Sequence, residues 1–413
     1  MPQLALALLN PAVRRRLKVR VGPDGRSEDG AVAMLVAILL GTGVLLGLAA
    51  ITMDTGSLLY ERRQLQNGAD AASLALAQAC GLGLASCAPT DANLAAMANA
   101  NAADGFSKVE SVCAAGSFAQ VGLFNPCSGT STGQLVDCPA PPTSGNYIEV
   151  RTQTSTNAAN TGTLLKPIVA QMLAGNGGYQ GTSVRACARA GWGPGFPSKI
   201  LPVAQAQCAW DSATTKGTDF APAPSTYVLK GGTPPDVPVA AKYVTKILLH
   251  TKNDKVDGTT KCGSTGPGLY TPGNFGWLDP VDKQTGCSAI LTSDTGPYTA
   301  TGAPGASATK GCKDTLPGLI GTIVYIPIFT SVDGTGNNTV YTFNGVSAFY
   351  LAGFTVPGGG ADGFKPVDPS QVATVSCASE KDCIWGWFLT DTISDGLLSL
   401  GTDRGTKLIS VLG

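Results

Sequence analysis

No charged side chain occurs between Ala31 and Met53, inside the stretch GAVAMLVAILLGTGVLLGLAAITMDTGSLLY at positions 30–60. About 20 consecutive apolar residues suffice to cross the ~30 Å hydrocarbon core of a bilayer as a helix. Only Thr42 and Thr52 interrupt the apolar character, so the run lacks the polar face that a surface helix turns to water. The pattern predicts a membrane-spanning helix over 30–53. A cleaved secretory leader would carry an apolar core of roughly 7–15 residues followed by a small-x-small site. This run is longer, and Leu58, Leu59, Leu65 and Leu76 carry a helical pattern beyond it, so the expectation is a retained anchor.

The flanking charges orient that anchor. Arg14, Arg15, Arg16, Lys18, Arg20 and Arg26 precede it, whereas Arg62 and Arg63 alone follow closely. The excess of basic residues before the span predicts a cytoplasmic N-terminus and an exported body. All twelve cysteines follow the span, as an oxidising compartment on that side would allow. Local spacing favours the pairs Cys80 with Cys87, Cys262 with Cys287 and Cys377 with Cys383. Zinc is disfavoured, because the chain has no C-x-x-C and a single histidine, His250.

Along the chain, residues 1–12 read as a loose tail or an overlong start, within a basic cytoplasmic segment at 1–29. After the span at 30–53, apolar positions 58, 65, 69, 72, 76 and 79 fall at helical spacing. Span and stalk together are expected to form one helix of about 50 residues, roughly 75 Å long. Its small-residue seam suits either a second helix or the chain's own body. A second helix is expected at 91–104, opened by Asp91 and closed by Gly105, which completes a helical stalk over 54–105. A mixed α/β part follows at 106–190, with strands at 147–153 and 182–189 and a helix at 164–173. The remainder, 191–413, reads as β-rich, with strands at 243–250, 322–329, 340–343, 348–354 and 383–389. The fold class is therefore α+β: an N-terminal transmembrane helix, a helical stalk, and a mainly β, disulfide-bonded ectodomain. The 53 glycines and 27 prolines agree with that loop-rich body.

A formal net charge of zero with 14% charged residues offers no basic surface for nucleic acid. The most suggestive motif is Asp-Thr-Gly, present at 54–56 and 294–296. An aspartic protease needs two carboxylates sharing one proton on facing loops. Asp54, however, lies in a predicted helix at the outer end of the span, and Pro297 follows the second copy. A serine triad would need His250 and a G-x-S-x-G elbow, which is missing. The segment Asp333–Asn338 reads as a hairpin turn, lacking the spacing and the closing Glu of a calcium loop. Neither a catalytic residue, a cofactor, a metal nor a small-molecule substrate is expected. Phe275, Trp277, Trp385 and Trp387 are either core residues or an aromatic rim for a protein partner.

Taken as a set, Gly30-Ala31-Val32-Ala33, the apolar run through Met53, Asp54-Thr55-Gly56, Tyr60, Arg62-Arg63, Leu65-Gln66 and Ala69-Asp70-Ala71-Ala72-Ser73-Leu74-Ala75 resemble the TadE/TadG-like family of Flp (tight-adherence) pilus assembly proteins. Later stretches, PGNFGWLD, VYIPIFTSVDGTGNN and FNGVSAFYLAGF, resemble ectodomains of that family. The resemblance implies a non-enzymatic bitopic protein of the cell membrane, with pilus or secretion-system proteins as partners. Prepilin-like members are cut after a Gly that a Glu follows five residues on; here Leu35 holds that place after Gly30, so the segment is expected to stay uncut. The von Willebrand A metal motif of larger relatives is missing. The rival readings are a membrane-anchored hydrolase using Asp54 and Asp294, and a surface adhesin acting alone.

Overall fold

The computed structural model describes residues 29–41, 43–127, 138, 142–157, 162–167, 169, 181–222, 236–249, 276–291, 298–303, 308–334, 339–365, 376–377, 380–398 and 401–412. Cys262, His250, Phe275, the Asp294 motif, residues 335–338 and half of the expected helix at 164–173 lie outside them; the described part, 164–167 and 169, is not helical, and Leu165 bridges Thr182 instead. So does the basic N-terminal segment up to residue 28.

The apolar run forms two helices rather than one. Helix α1 spans Asp29–Gly41 and α2 spans Val44–Gly81. The break centres on Gly43, whose φ of 71° is left-handed, with its N–H bonded to Leu40 O at 3.2 Å. Glycine reaches that conformation without a Cβ clash, which is what lets the chain end one helix and start the next here. The expectation of an unbroken helix of about 50 residues is thus corrected. Helix α1 has 13 residues, or about 20 Å. Helix α2 meets Asp54 ten residues after its start. Among the described residues no helix is long and apolar enough to cross a membrane.

From Leu65 onward α2 is amphipathic, and its buried positions include Leu65, Ala69, Ala72, Leu76 and Ala79, at alternating four- and three-residue spacing, widened by Gly68, Ser73, Ala77 and Cys80. A tight turn closed by Cys80–Cys87 leads to α3 (Ala92–Ala100), where the Asp91 side chain caps the helix by accepting from Asn93 N–H at 2.8 Å. Helix α3 crosses α2 at Gly68, where an added Cβ would lie 3.1 Å from Ala98 O and 3.2 Å from Ala98 Cα.

The first sheet receives α2. Its strands are β1 (Ser107–Ala115), β2 (Asn125–Pro126), β3 (Asn146–Thr154) and β4 (Arg185–Phe196), in the order β2-β1-β3-β4. The chain's last strand, β14 (Thr406–Val411), adds antiparallel to β4, and β12 (Asp391–Ile393) adds parallel to β14; β13 (Leu397–Leu398) pairs with β4 as well. Strand β4 runs through the 190/191 junction. Ile148, Val150, Ala190 and Trp192 form one core with Ala72, Leu76 and Leu94.

The second sheet has the order β5-β8-β9-β11-β6, with β7 and β10 also on β9. These are β5 (Gln205–Ala206), β6 (Val244–Leu248), β7 (Tyr298–Thr301), β8 (Ile323–Asp333), β9 (Val340–Val356), β10 (Gly359–Asp362) and β11 (Cys383–Leu389). Where two strands were expected at 340–343 and 348–354, β9 is one 17-residue strand. The register of its pairing with β8 shifts opposite Gly345, so the polar Asn344-Gly345 pair marks an irregularity and not a turn. Both faces of this sheet are covered. Trp385 and Trp387 pack with Tyr350 and Phe364 on one side, and Ile384 and Phe388 with Phe349 and Leu351 on the other.

Two short helices, α4 (Gln207–Ala213) and α5 (Lys310–Leu319), were not expected from the sequence. Helix α5 explains a second correction: Cys287 is bonded to Cys312, not to Cys262. Gly311 in α5 lies so close to Gly286 that a Cβ would fall 2.5 Å from Gly286 O. That approach sets Cys312 against Cys287. The pairs Cys80–Cys87 and Cys377–Cys383 form as expected, and Cys113–Cys127 and Cys138–Cys187 join them.

Candidate functional site

The residues singled out between positions 30 and 70 divide into two zones along α1 and α2. In the first, many large apolar side chains are uncovered: Leu35 is 59% exposed, Ile51 64% and Met53 62%. Val32, Met34, Ile38, Leu40, Val44 and Leu48 are exposed with them, whereas Ala50 is buried, so exposed large apolar side chains recur along the zone instead of singly as on ordinary surfaces.

In the second zone, polar groups key the helix to the body. Asp54 closes the first zone, and its Oδ1 accepts from Val169 N–H at 3.1 Å. About three turns on, Gln66 Nε2 donates to Cys187 O in β4 at 2.9 Å and to Asp70 Oδ1 at 3.0 Å. The i,i+4 spacing places Asp70 where it holds the Gln66 amide in the direction of the sheet. Buried Thr152 in β3 donates its hydroxyl to Leu65 O at 2.9 Å. Gln64 Oε1 accepts from Ala103 N–H at 2.7 Å, tying the α3 exit to α2. Glu61 is pushed above the ordinary carboxyl range by burial and by the nearby Asp104 carboxylate, against an opposing Thr154 hydrogen bond. Tyr60, Arg62 and Arg63 remain exposed, as does Gly56. The small-residue seam is therefore filled by the chain's own sheet and α3.

The sequence reading missed the partners of these residues: Val169, Thr152, the Cys187 carbonyl and the Ala103 amide. Three of the four contribute only backbone, which carries no sequence signature. Thr152 could have been suspected, as an uncharged polar residue at an inward position of an alternating strand.

The other candidates fall elsewhere. Trp277, Trp385 and Trp387 are buried to 2%, 0% and 0% and form core, not a rim. Trp277 donates to both Asp382 oxygens at 3.2 and 3.4 Å. Trp385 donates to Asp362 at 2.6 Å. Two cysteine–carboxylate groups, Cys113/Cys127/Glu149 and Cys138/Glu149/Cys187, are close enough to surround an ion. Their sulfurs are consumed in disulfides, and a metal needs the thiolate. Glu149 is held instead by buried Arg189 at 2.6 Å and by the partly exposed Arg151 at 2.7 Å, so the buried carboxylate has its counter-charges.

These features define a class: a disulfide-bonded α+β body into which one long helix is keyed by its C-terminal half, while the preceding helical segment presents bare apolar surface. Residues 30–79, nearly all of that keyed and bare helical element, match the Tad family model, described as Flp pilus-assembly TadE/G-like. No curated protein and no solved structure matches the chain. The matched interval coincides with the motif set from Gly30 to Ala75, and the docking residues Asp54, Gln66 and Asp70 lie within it.

Proposed function

We propose that this chain is a non-enzymatic, bitopic component of Flp pilus biogenesis, anchored by residues 30–53 with its N-terminus in the cytoplasm and its body outside. The observation that carries the reading is the coincidence of the TadE/G-like match with the bare apolar surface of α1 and the start of α2. Water is a poor environment for a surface of that extent, and hydrocarbon is a good one. Together the two segments supply enough apolar length for a bilayer core. In this reading α1 and the first ten residues of α2 act in series, with the Gly43 junction between them. The keyed half of α2 then fixes the body at a set height above the membrane, and the ectodomain meets pilus or secretion-system components. The five disulfides between described cysteines suit an exported body.

The test is fractionation and protection in the native host. Alkaline carbonate is expected to leave the chain in the membrane pellet, and protease added outside spheroplasts is expected to remove the body while sparing an N-terminal tag. Deletion of the gene is expected to abolish surface pili, and the Asp54→Asn variant to restore them. Release by carbonate, or restored piliation by a chain lacking residues 30–53, would overturn the reading.

A further inference from the structure

A groove of about 230 Å³ opens where α2 meets the beginning of β4. Thr55, Leu58, Leu59 and Arg62 line it from the helix, and Thr182, Ser183, Val184 and Arg185 from the start of β4 and the residues just before it. Leu58, Leu59 and Val184 give it an aliphatic wall beside three hydroxyl side chains, and its charged groups are both cationic. Arg62 is exposed and makes no ion pair among the described residues. Arg185 holds Glu110 at 2.8 Å through one terminal nitrogen, while its Nε is buried with no hydrogen-bond partner. The Arg185 side chain is nevertheless 31% exposed, and an anionic oxygen satisfies guanidinium donors best. Next to the groove on the same helix, Ile51, Met53 and Tyr60 are exposed.

We propose that this groove binds one anionic phospholipid, with an acyl chain against Leu58, Leu59 and Val184 and its phosphate at Arg62 and Arg185. The inference rests on the membrane reading given above, which sets the groove at the junction of hydrocarbon and water. At that height lipid is the most abundant amphiphile, and its chemistry matches both parts of the site. An acyl chain displaces water from the aliphatic walls. The phosphate gives the two arginines a common counter-ion. The lipid would also brace the passage from bare to keyed helix, one turn beyond the Asp54–Val169 contact.

The full chain, purified in neutral detergent, is titrated with dihexanoyl phosphatidylglycerol, dihexanoyl phosphatidylcholine or inorganic phosphate while its thermal midpoint is followed. A saturable rise with phosphatidylglycerol alone is expected. Arg62→Gln is expected to weaken the apparent affinity about tenfold, the loss of one charge-assisted contact. Leu58→Trp, which fills the groove and keeps both arginines, is expected to abolish the response. Arg185 is left in place because its loss would strand Glu110. Equal responses to the two lipids, a response to phosphate alone, no response at all, or wild-type behaviour of both variants would overturn the proposal. Carbonate extraction separates the two readings. A chain that stays in the membrane but ignores phosphatidylglycerol refutes the groove alone, whereas a chain released by carbonate refutes the membrane reading and the groove with it.

Discussion

Replacing Asp382 by Asn is expected to make the body more stable above neutral pH and to change it little in acid. Asp382 is 5% exposed and precedes Cys383 at the start of β11. Burial pushes its carboxyl up to about 7, although the Trp277 hydrogen bond and the Lys313 charge both act to lower it. A carboxyl raised in the folded state binds its proton more tightly there than in the unfolded chain. The folded state is therefore favoured below the ordinary carboxyl range, near pH 4, and that advantage drains away as pH climbs to about 7. Between a reference value of 3.8 and about 7, the linkage amounts to about 4 kcal/mol at 1.36 kcal/mol per pH unit. Asn keeps the shape and an oxygen acceptor for Trp277 Nε1 while removing the charge. Thermal unfolding followed by tryptophan fluorescence at pH 4–8 gives the readout. For a body of this size roughly 2 °C per kcal/mol applies. The midpoint of Asp382→Asn minus that of the wild type should thus grow by several degrees across the range, levelling off above pH 7. A difference that stays constant from pH 4 to pH 8 would refute burial of this charge as the cause.

The keyed half of α2 yields further expectations. Gly68→Leu would drive side-chain atoms into the Ala98 backbone and should cost about 1–3 kcal/mol, visible as faster hydrogen exchange in both α2 and α3. Gln66→Ala strands the Cys187 carbonyl at about 1–3 kcal/mol; protection loss confined to α2 and β4 would agree with the docking role, and none would contradict it. Leu76→Ala removes a side chain buried to 2% and should cost about 2–5 kcal/mol by chemical denaturation. For the cysteines, Cys287→Ser and Cys312→Ser should give the same shift in non-reducing electrophoresis and free one reactive thiol each. Different peptide maps for the two freed thiols, with Cys262 as partner of either, would reject the Cys287–Cys312 bond.

Much of the architecture was legible in local pattern. The apolar run, the helical seam at 65, 69, 72, 76 and 79, the Asp91 cap and the strand at 383–389 each follow from side-chain periodicity or cap chemistry, which act over a few residues. The short-range disulfides Cys80–Cys87 and Cys377–Cys383 followed from spacing for the same reason. The motif set from Gly30 to Ala75 was legible as a resemblance, because it is a compact linear signature.

What the tertiary structure decided is what distant residues do to one another. Spacing favoured Cys262 for Cys287, but the approach of Gly311 to Gly286 brought Cys312 there instead. Nothing in Trp385 or Trp387 distinguishes core from rim until the sheet is covered on both faces. The seam of α2 could have met any flat partner, and the sheet took it because Thr152, Cys187 and the Val169 amide lie where Leu65, Gln66 and Asp54 reach them. The long apolar run itself shows the same division. Its hydrophobicity and its flanking charges belong to the sequence. Its break at Gly43, and the point after Asp54 where bare surface gives way to a keyed helix, belong to backbone conformation and contact. Periodicity reports which face of a helix is apolar, while only the folded chain determines what that face meets.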